Sequence, residues 1–124
     1  MLKKKYVIFV LEDSTAQREQ IVEMLNRADR KILCAKTILQ AKRLYKINDS
    51  DIDLFILDLK LPDGNGMDFL KRVRKSLHNT PVIITSATIT DTIREQANGL
   101  NVNTFFEKPV KMKALNQAVV KFLH

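Results

Sequence analysis

The chain has 124 residues, 45% of them hydrophobic, and its 21 Lys and Arg against 14 Asp and Glu give a formal net charge of +7. That length suits one domain with a sizeable core and leaves no room for a second, and no apolar run approaches the ~20 residues that a bilayer crossing needs. Its single cysteine, Cys34, excludes an internal disulfide and any cysteine-based metal cluster. Lying in Ile32-Leu33-Cys34-Ala35, it is expected to be a buried structural thiol. The basic start, Met1 to Lys5, precedes only the short apolar run Tyr6 to Leu11, too little for a signal sequence, so a cytoplasmic protein is expected. The excess of positive charge permits nucleic acid, an anionic membrane or an acidic partner without choosing among them. No helix-turn-helix, zinc or RNA-stacking pattern accompanies the basic residues, so solvated helix faces explain them best, and direct nucleic-acid binding is not favoured.

Strand one, from Lys5 to Leu11, ends in Glu12-Asp13. Ser14 caps helix one, with Gln17 completing a capping box and Ile21, Val22, Leu25 and Ala28 forming its inward stripe. Lys31 to Lys36 reads as strand two, and Thr37 caps a second helix with Ile38, Ala41, Leu44 and Tyr45 on its apolar face. Polar residues at Asn48-Asp49-Ser50 end that helix. Strand three, in DIDLFILD, is a short apolar run that terminates in Asp58. Gly64 and Gly66 flank Asn65 in a tight turn before helix three, Met67 to Leu77, which Asn79-Thr80-Pro81 stops. Strand four, Val82 to Thr85, delivers Ser86-Ala87-Thr88. Thr90 caps helix four, which Gly99 stops; Asn103 to Glu107 is strand five, followed by Lys108-Pro109, and Met112 to Leu123 is helix five.

Five strands alternating with five helices, most strands apolar without alternation, predict an α/β domain with a parallel sheet covered on both faces. In such folds, sites form beyond the carboxyl ends of the strands. Here those ends carry Glu12-Asp13, Asp58, Ser86 and Lys108. Carboxylates crowded together repel, by about 4 kcal/mol for two unit charges at ~4 Å and an effective dielectric of 20. They must therefore bind a cation, hold a proton or pair with lysine. Hard oxygen ligands of this kind suit Mg2+, which retains waters and takes one or two carboxylates beside phosphate oxygens.

This constellation, with Leu61-Pro62 and Gly66 behind Asp58, resembles the receiver domain of two-component response regulators over the whole chain, residues 1–124. The resemblance implies a flavodoxin-like, doubly wound sheet of strand order 2-1-3-4-5. It makes Asp58 the phosphoacceptor, assisted by Ser86 and Lys108, and places Mg2+ on Asp13, Asp58 and the backbone carbonyl of Lys60, with Glu12 acting through a metal-bound water. Ser86 and Phe105 become a switch that reshapes the helix 4/strand 5/helix 5 face. A sensor histidine kinase or histidine phosphotransfer protein would be the donor and an effector protein or domain the recipient, and the switch face also permits a homodimer. The domain itself is not expected to be an enzyme beyond weak self-phosphorylation and self-dephosphorylation.

Several positions depart from the family pattern. Asn101 stands where glycine is usual before strand five, but asparagine tolerates a left-handed backbone. Phe105 replaces a frequent tyrosine, and Lys111 occupies the usual capping position of helix five. Lys60 is placed to lean over a phosphoryl group. Rival readings fit less well. A small Mg2+ phosphatase with Asp58 as nucleophile lacks a second acid two residues on, where Lys60 stands, and a flavodoxin-like electron carrier would find Glu12 and Asp13 repelling its flavin phosphate. A basic nucleic-acid-binding module rests on net charge alone. His78 and His124 lack ligand spacing and are expected to face solvent, while Met24, Met67 and Met112 are expected to fill the core or its rim.

Overall fold

The computed structural model describes residues 5–123. Lys3, Lys4 and His124 lie outside the described residues. The strands are β1 (Tyr6–Leu11), β2 (Arg30–Ala35), β3 (Ile52–Asp58), β4 (Val82–Ser86) and β5 (Thr104–Glu107). They alternate with helices α1 (Thr15–Leu25), α2 (Ile38–Asn48), α3 (Gly66–Val73), α4 (Asp91–Asn98) and α5 (Met112–Leu123). All pairings in the sheet are parallel and its order is β2-β1-β3-β4-β5, the order that the family resemblance implies.

Because successive strand residues point to opposite faces, each apolar strand feeds two cores. Phe9, Leu11, Phe55, Leu57 and Ile84 pack beneath α2, α3 and α4, where Phe9 lies 5.3 Å from Phe55 and 5.6 Å from Phe69 between ring centroids. Ile8, Val10, Leu54, Ile56 and Ile83 face α1 and α5, meeting Ile21, Leu25, Leu115 and Val119. Met67 is buried, Met24 and Met112 pack at the rim, and His78 is exposed.

The caps expected at Ser14, Thr37 and Thr90 all form, each hydroxyl accepting from the backbone N–H three residues on. The capping box does not close as expected. The N–H of Ser14 donates to Glu12 Oε2 at 3.1 Å, because that buried carboxylate lies nearer than the side chain of Gln17 and needs donors. Helix α1 stops at Leu25, and Ala28 is exposed in the turn that follows. Helix α3 likewise stops at Val73 and runs on to Leu77 as turns. Gly99 keeps right-handed geometry at φ −67°, and the left-handed residue that redirects the chain is Asn101 at φ 59°.

Two further expectations fail on burial. Cys34 is exposed, because β2 is an edge strand and only Arg30 and Ala35 of it are buried. Partial burial of the thiol still raises its pKa, so it stays protonated and unreactive near neutrality. Arg74, one of the basic residues that together suggest solvated helix faces, is buried alongside Leu70 and Val73. Its guanidinium donates to the carbonyls of Leu100 at 2.8 Å, Leu77 at 2.7 Å and Asn101 at 3.3 Å, tying the end of α3 to the turn before β5.

Candidate functional site

The β1 ladder continues one residue past the strand, with Glu12 N–H donating to Ala35 at 3.0 Å, and this fixes the carboxylate of Glu12 at the carboxyl edge of the sheet. Since Leu11 pairs with Leu57, the next residues, Glu12 and Asp58, lie side by side. Both are buried, 1% and 3% exposed, whereas Asp13 is exposed. The three carboxylates can each present an oxygen within 4.8 Å of the others. Arg18 steadies this turn by donating to the carbonyls of Glu12 at 3.0 Å and Asp13 at 3.4 Å.

Lys108 arrives from the far side of the sheet. Its N–H donates to the Ser86 carbonyl at 2.8 Å, extending the β4–β5 ladder, and the Lys108–Pro109 peptide is cis. Its Nζ lies 2.7 Å from Asp58 Oδ2 and 2.9 Å from Glu12 Oε1. Burial disfavours the ammonium, but hydrogen bonds and charge attraction from Asp58 and Glu12 outweigh that and hold its pKa above the ordinary lysine value. For Glu12, burial is the largest influence and pushes its carboxyl up, with the charge of Asp58 adding to it and Lys108 and the Ser14 N–H opposing. Three acids against Lys108 leave excess negative charge in a partly buried cleft, and all the donors are hard oxygens. That arrangement fits a small divalent cation such as Mg2+.

Asp58 opens onto a cleft rimmed by Asp13, Lys60, Ser86, Ala87 and Lys108. Lys60 is exposed and its N–H donates to Asp58 Oδ1 at 3.3 Å. The hairpin behind it, with Lys60–Leu61 antiparallel to Gly64–Asn65, turns the chain into α3. Here Gly66 is obligatory, because a Cβ on it would sit 2.0 Å from the Asp58 carbonyl oxygen. Ser86 is buried, and its hydroxyl donates to the Thr88 carbonyl at 2.9 Å rather than toward Asp58. Phe105 is half-buried, with the Arg94 guanidinium 5.5 Å from its ring centroid. The carbonyl of Lys111 accepts from Leu115 N–H at 3.0 Å, so the first bond of α5 forms with lysine at that position.

Sequence reasoning missed three residues around this site. Besides Arg18 and Arg94, Asp63 reaches from the loop after Asp58 to accept the N–H groups of Ile38 at 2.8 Å and Leu39 at 3.0 Å, capping α2. Pro62-Asp63-Gly64 signals only a turn locally, and nothing near it in the chain marks a partner 25 positions away.

A doubly wound 2-1-3-4-5 sheet thus gathers acids from the ends of β1 and β3 and a lysine after β5 at one edge, a charged site of the kind that receiver domains carry. The family model of the response regulator receiver domain matches residues 8–120, and the chain belongs to that family as a phosphoacceptor domain of two-component signalling. It is similar to the sensory/regulatory protein RpfC of Xanthomonas campestris pv. campestris, 31% identical over 107 residues, 83% of this chain and 14% of RpfC. The transcriptional regulatory protein CrdR of Helicobacter pylori is 26% identical, covering 94% of this chain and 54% of CrdR. Thus the chain spans from about a seventh to about half of the length of these relatives. Among solved structures, the non-phosphorylated HemR receiver domain from Leptospira biflexa superposes with a TM-score of 0.88 at 30% identity, covering 96% of this chain and 94% of that one. Receiver domains bind Mg2+ at an acidic pocket, and such a pocket is present here. Among the described residues no helix is long and apolar enough to cross a membrane.

Proposed function

We propose that residues 1–124 act as one receiver domain in which Asp58 is the residue phosphorylated. The carrying observation is that Asp58 ends β3 in a cleft with Lys108 2.7 Å from its carboxylate. A carboxylate oxygen of Asp58 forms a bond to phosphorus as the bond from phosphorus to the donor histidine nitrogen breaks. The imidazole leaves and takes a proton, and an acyl phosphate remains on Asp58.

Little covalent help is needed for such a transfer, because positioning and charge neutralisation carry it. Lys108 holds one phosphoryl oxygen as a fixed charge, and the Ser86 hydroxyl with the Ala87 N–H receives another. Asp13, Asp58 and the carbonyl of Lys60 are the ligands we assign to Mg2+, with Glu12 acting through a bound water. The metal supplies charge neutralisation at the phosphoryl oxygens. To reach the phosphoryl group, Ser86 gives up its bond to the Thr88 carbonyl. The space it leaves lets Phe105 turn inward from beneath Arg94, which shifts the balance of two conformations of the face formed by α4, β5 and α5. The donor is a sensor histidine kinase or a histidine phosphotransfer protein, and an effector protein or domain, or a second copy, reads that face. Turnover by the domain alone is confined to slow self-phosphorylation and self-dephosphorylation, in a cytoplasmic setting.

Incubation with acetyl phosphate, with and without Mg2+, tests this by intact mass. Wild type should gain one phosphoryl group only with Mg2+, and Asp58→Asn should gain none. Equal uptake by Asp58→Asn, or no uptake by wild type, refutes the assignment.

A further inference from the structure

Helices α2 and α3 gather a cluster of basic residues. Helix α2, ILQAKRLYKIN, carries Lys42, Arg43 and Lys46 and no acid. Across a groove, α3 and the turn after it present Arg72 and Lys75, both exposed. Lys42 and Arg72 line two adjoining depressions between the helices. Among the described residues none of these five cations forms a salt bridge. Three acids share these depressions, Asp63 accepting from the N–H groups of Ile38 and Leu39, Asp68 at 3.8 Å from Lys71 and Asp49 accepting from Ser50 N–H at 2.8 Å, and the cations outnumber them.

The same helix exposes large apolar side chains. Leu39 is 52% and Ile47 78% exposed, and with Arg43 they occupy positions i, i+4 and i+8 of α2. Eight residues of helix span about 12 Å, so the two apolar groups flank Arg43 along one stripe, next to the stripe that carries Lys42 and Lys46. A net cationic groove beside two exposed apolar side chains complements a surface that is both anionic and apolar.

We propose that the α2–α3 face is a docking site for an acidic amphipathic helix of a partner protein, distinct from the face of α4, β5 and α5. Glutamates at helical spacing on the partner meet Lys42, Arg43, Lys46 and Arg72, and its leucine-type residues cover Leu39 and Ile47. Nucleic acid is the poorer match, since a phosphate backbone leaves both apolar groups uncovered. An anionic membrane is also poorer, because an interfacial helix needs a broad apolar face, and the remaining apolar residues of α2 turn inward to the core.

The test uses the full chain and a labelled amphipathic helical peptide of about 20 residues, rich in Glu and Leu. A second version has every Glu replaced by Gln. Short duplex DNA and phosphatidylglycerol vesicles complete the set, and binding is read by anisotropy and by amide shifts. The acidic peptide should bind with shifts centred on α2 and α3, and the Gln version should bind at least about tenfold more weakly. Lys42→Glu with Arg72→Glu should weaken the acidic peptide by about tenfold or more, and Leu39→Ser with Ile47→Ser should weaken it at unchanged charge. All these positions are exposed, and circular dichroism checks that each variant remains folded. Equal binding to the charge-reversed variant, shifts centred elsewhere, or DNA or vesicles binding in preference to the peptide would each overturn the proposal. None of these outcomes depends on Asp58 being the phosphorylated residue.

Discussion

At Gly66 and Lys60 the residue-level demands of the site differ in kind. Gly66 is a matter of space, since any side chain enters the carbonyl oxygen of Asp58 and forces that residue out of register. Gly66→Ala should cost at least about 2 kcal/mol in urea unfolding and slow phosphoryl uptake as well. Lys60 concerns access: its side chain is exposed at the mouth of the cleft while its N–H holds Asp58. Truncating it removes cover and leaves that N–H in place. Lys60→Ala should therefore shorten the acyl-phosphate lifetime by about threefold through easier entry of water, as followed by phosphate release. An unchanged decay rate would mean that the lysine plays no part in shielding the bond.

Among the elements, α2 depends on a residue outside itself. Thr37 supplies one cap, but the N–H groups of Ile38 and Leu39 are held by Asp63, from the loop that follows the phosphoacceptor. Those N–H groups also lower the pKa of Asp63, chiefly through Ile38. Because the folded pKa lies below the unfolded one, this tie is fully present above the unfolded carboxylate value and is lost as pH falls through the folded value. Hydrogen-exchange protection at Ile38 and Leu39 should be pH-independent near neutrality and drop in that acid window. In Asp63→Ala it should already be several-fold lower at neutral pH, with the acid step gone. A mutant that keeps wild-type protection would show the loop and the helix to be independent.

For the whole molecule, what was legible in the sequence follows from where information is local. Runs such as Phe55-Ile56-Leu57 that stop at Asp58 mark both a buried strand and its end, so the sheet and the residues beyond it were readable. The order of the strands came with the family resemblance, and side-chain roles that depend on distant partners were not readable at all. Cys34 looks buried from its neighbours because nothing local says that β2 lies at the sheet edge. Arg74 looks like another charge in a basic helix, and its carbonyl partners Leu100 and Asn101 lie 26 and 27 positions away. Removing it leaves three carbonyls short of a strong donor. Arg74→Ala should lose about 3 kcal/mol of stability in chemical denaturation, and Arg74→Lys should restore little because an ammonium lacks the planar fork.

The Arg74 clasp also gives α4 one tied end and one looser end. The rim where the strands begin is tied by that guanidinium and by Asn103, whose side chain and backbone both bond Val82. At the opposite rim, beyond the Ser86 carbonyl that Lys108 N–H holds, the hydrogen bonds of Ala87 to Thr90 among the described residues are all short-range. A helix anchored at one end moves as a lever, so slow motions of α4 should grow from Gly99 toward Thr90, and a small displacement of Ser86 would be largest where a partner first meets the helix.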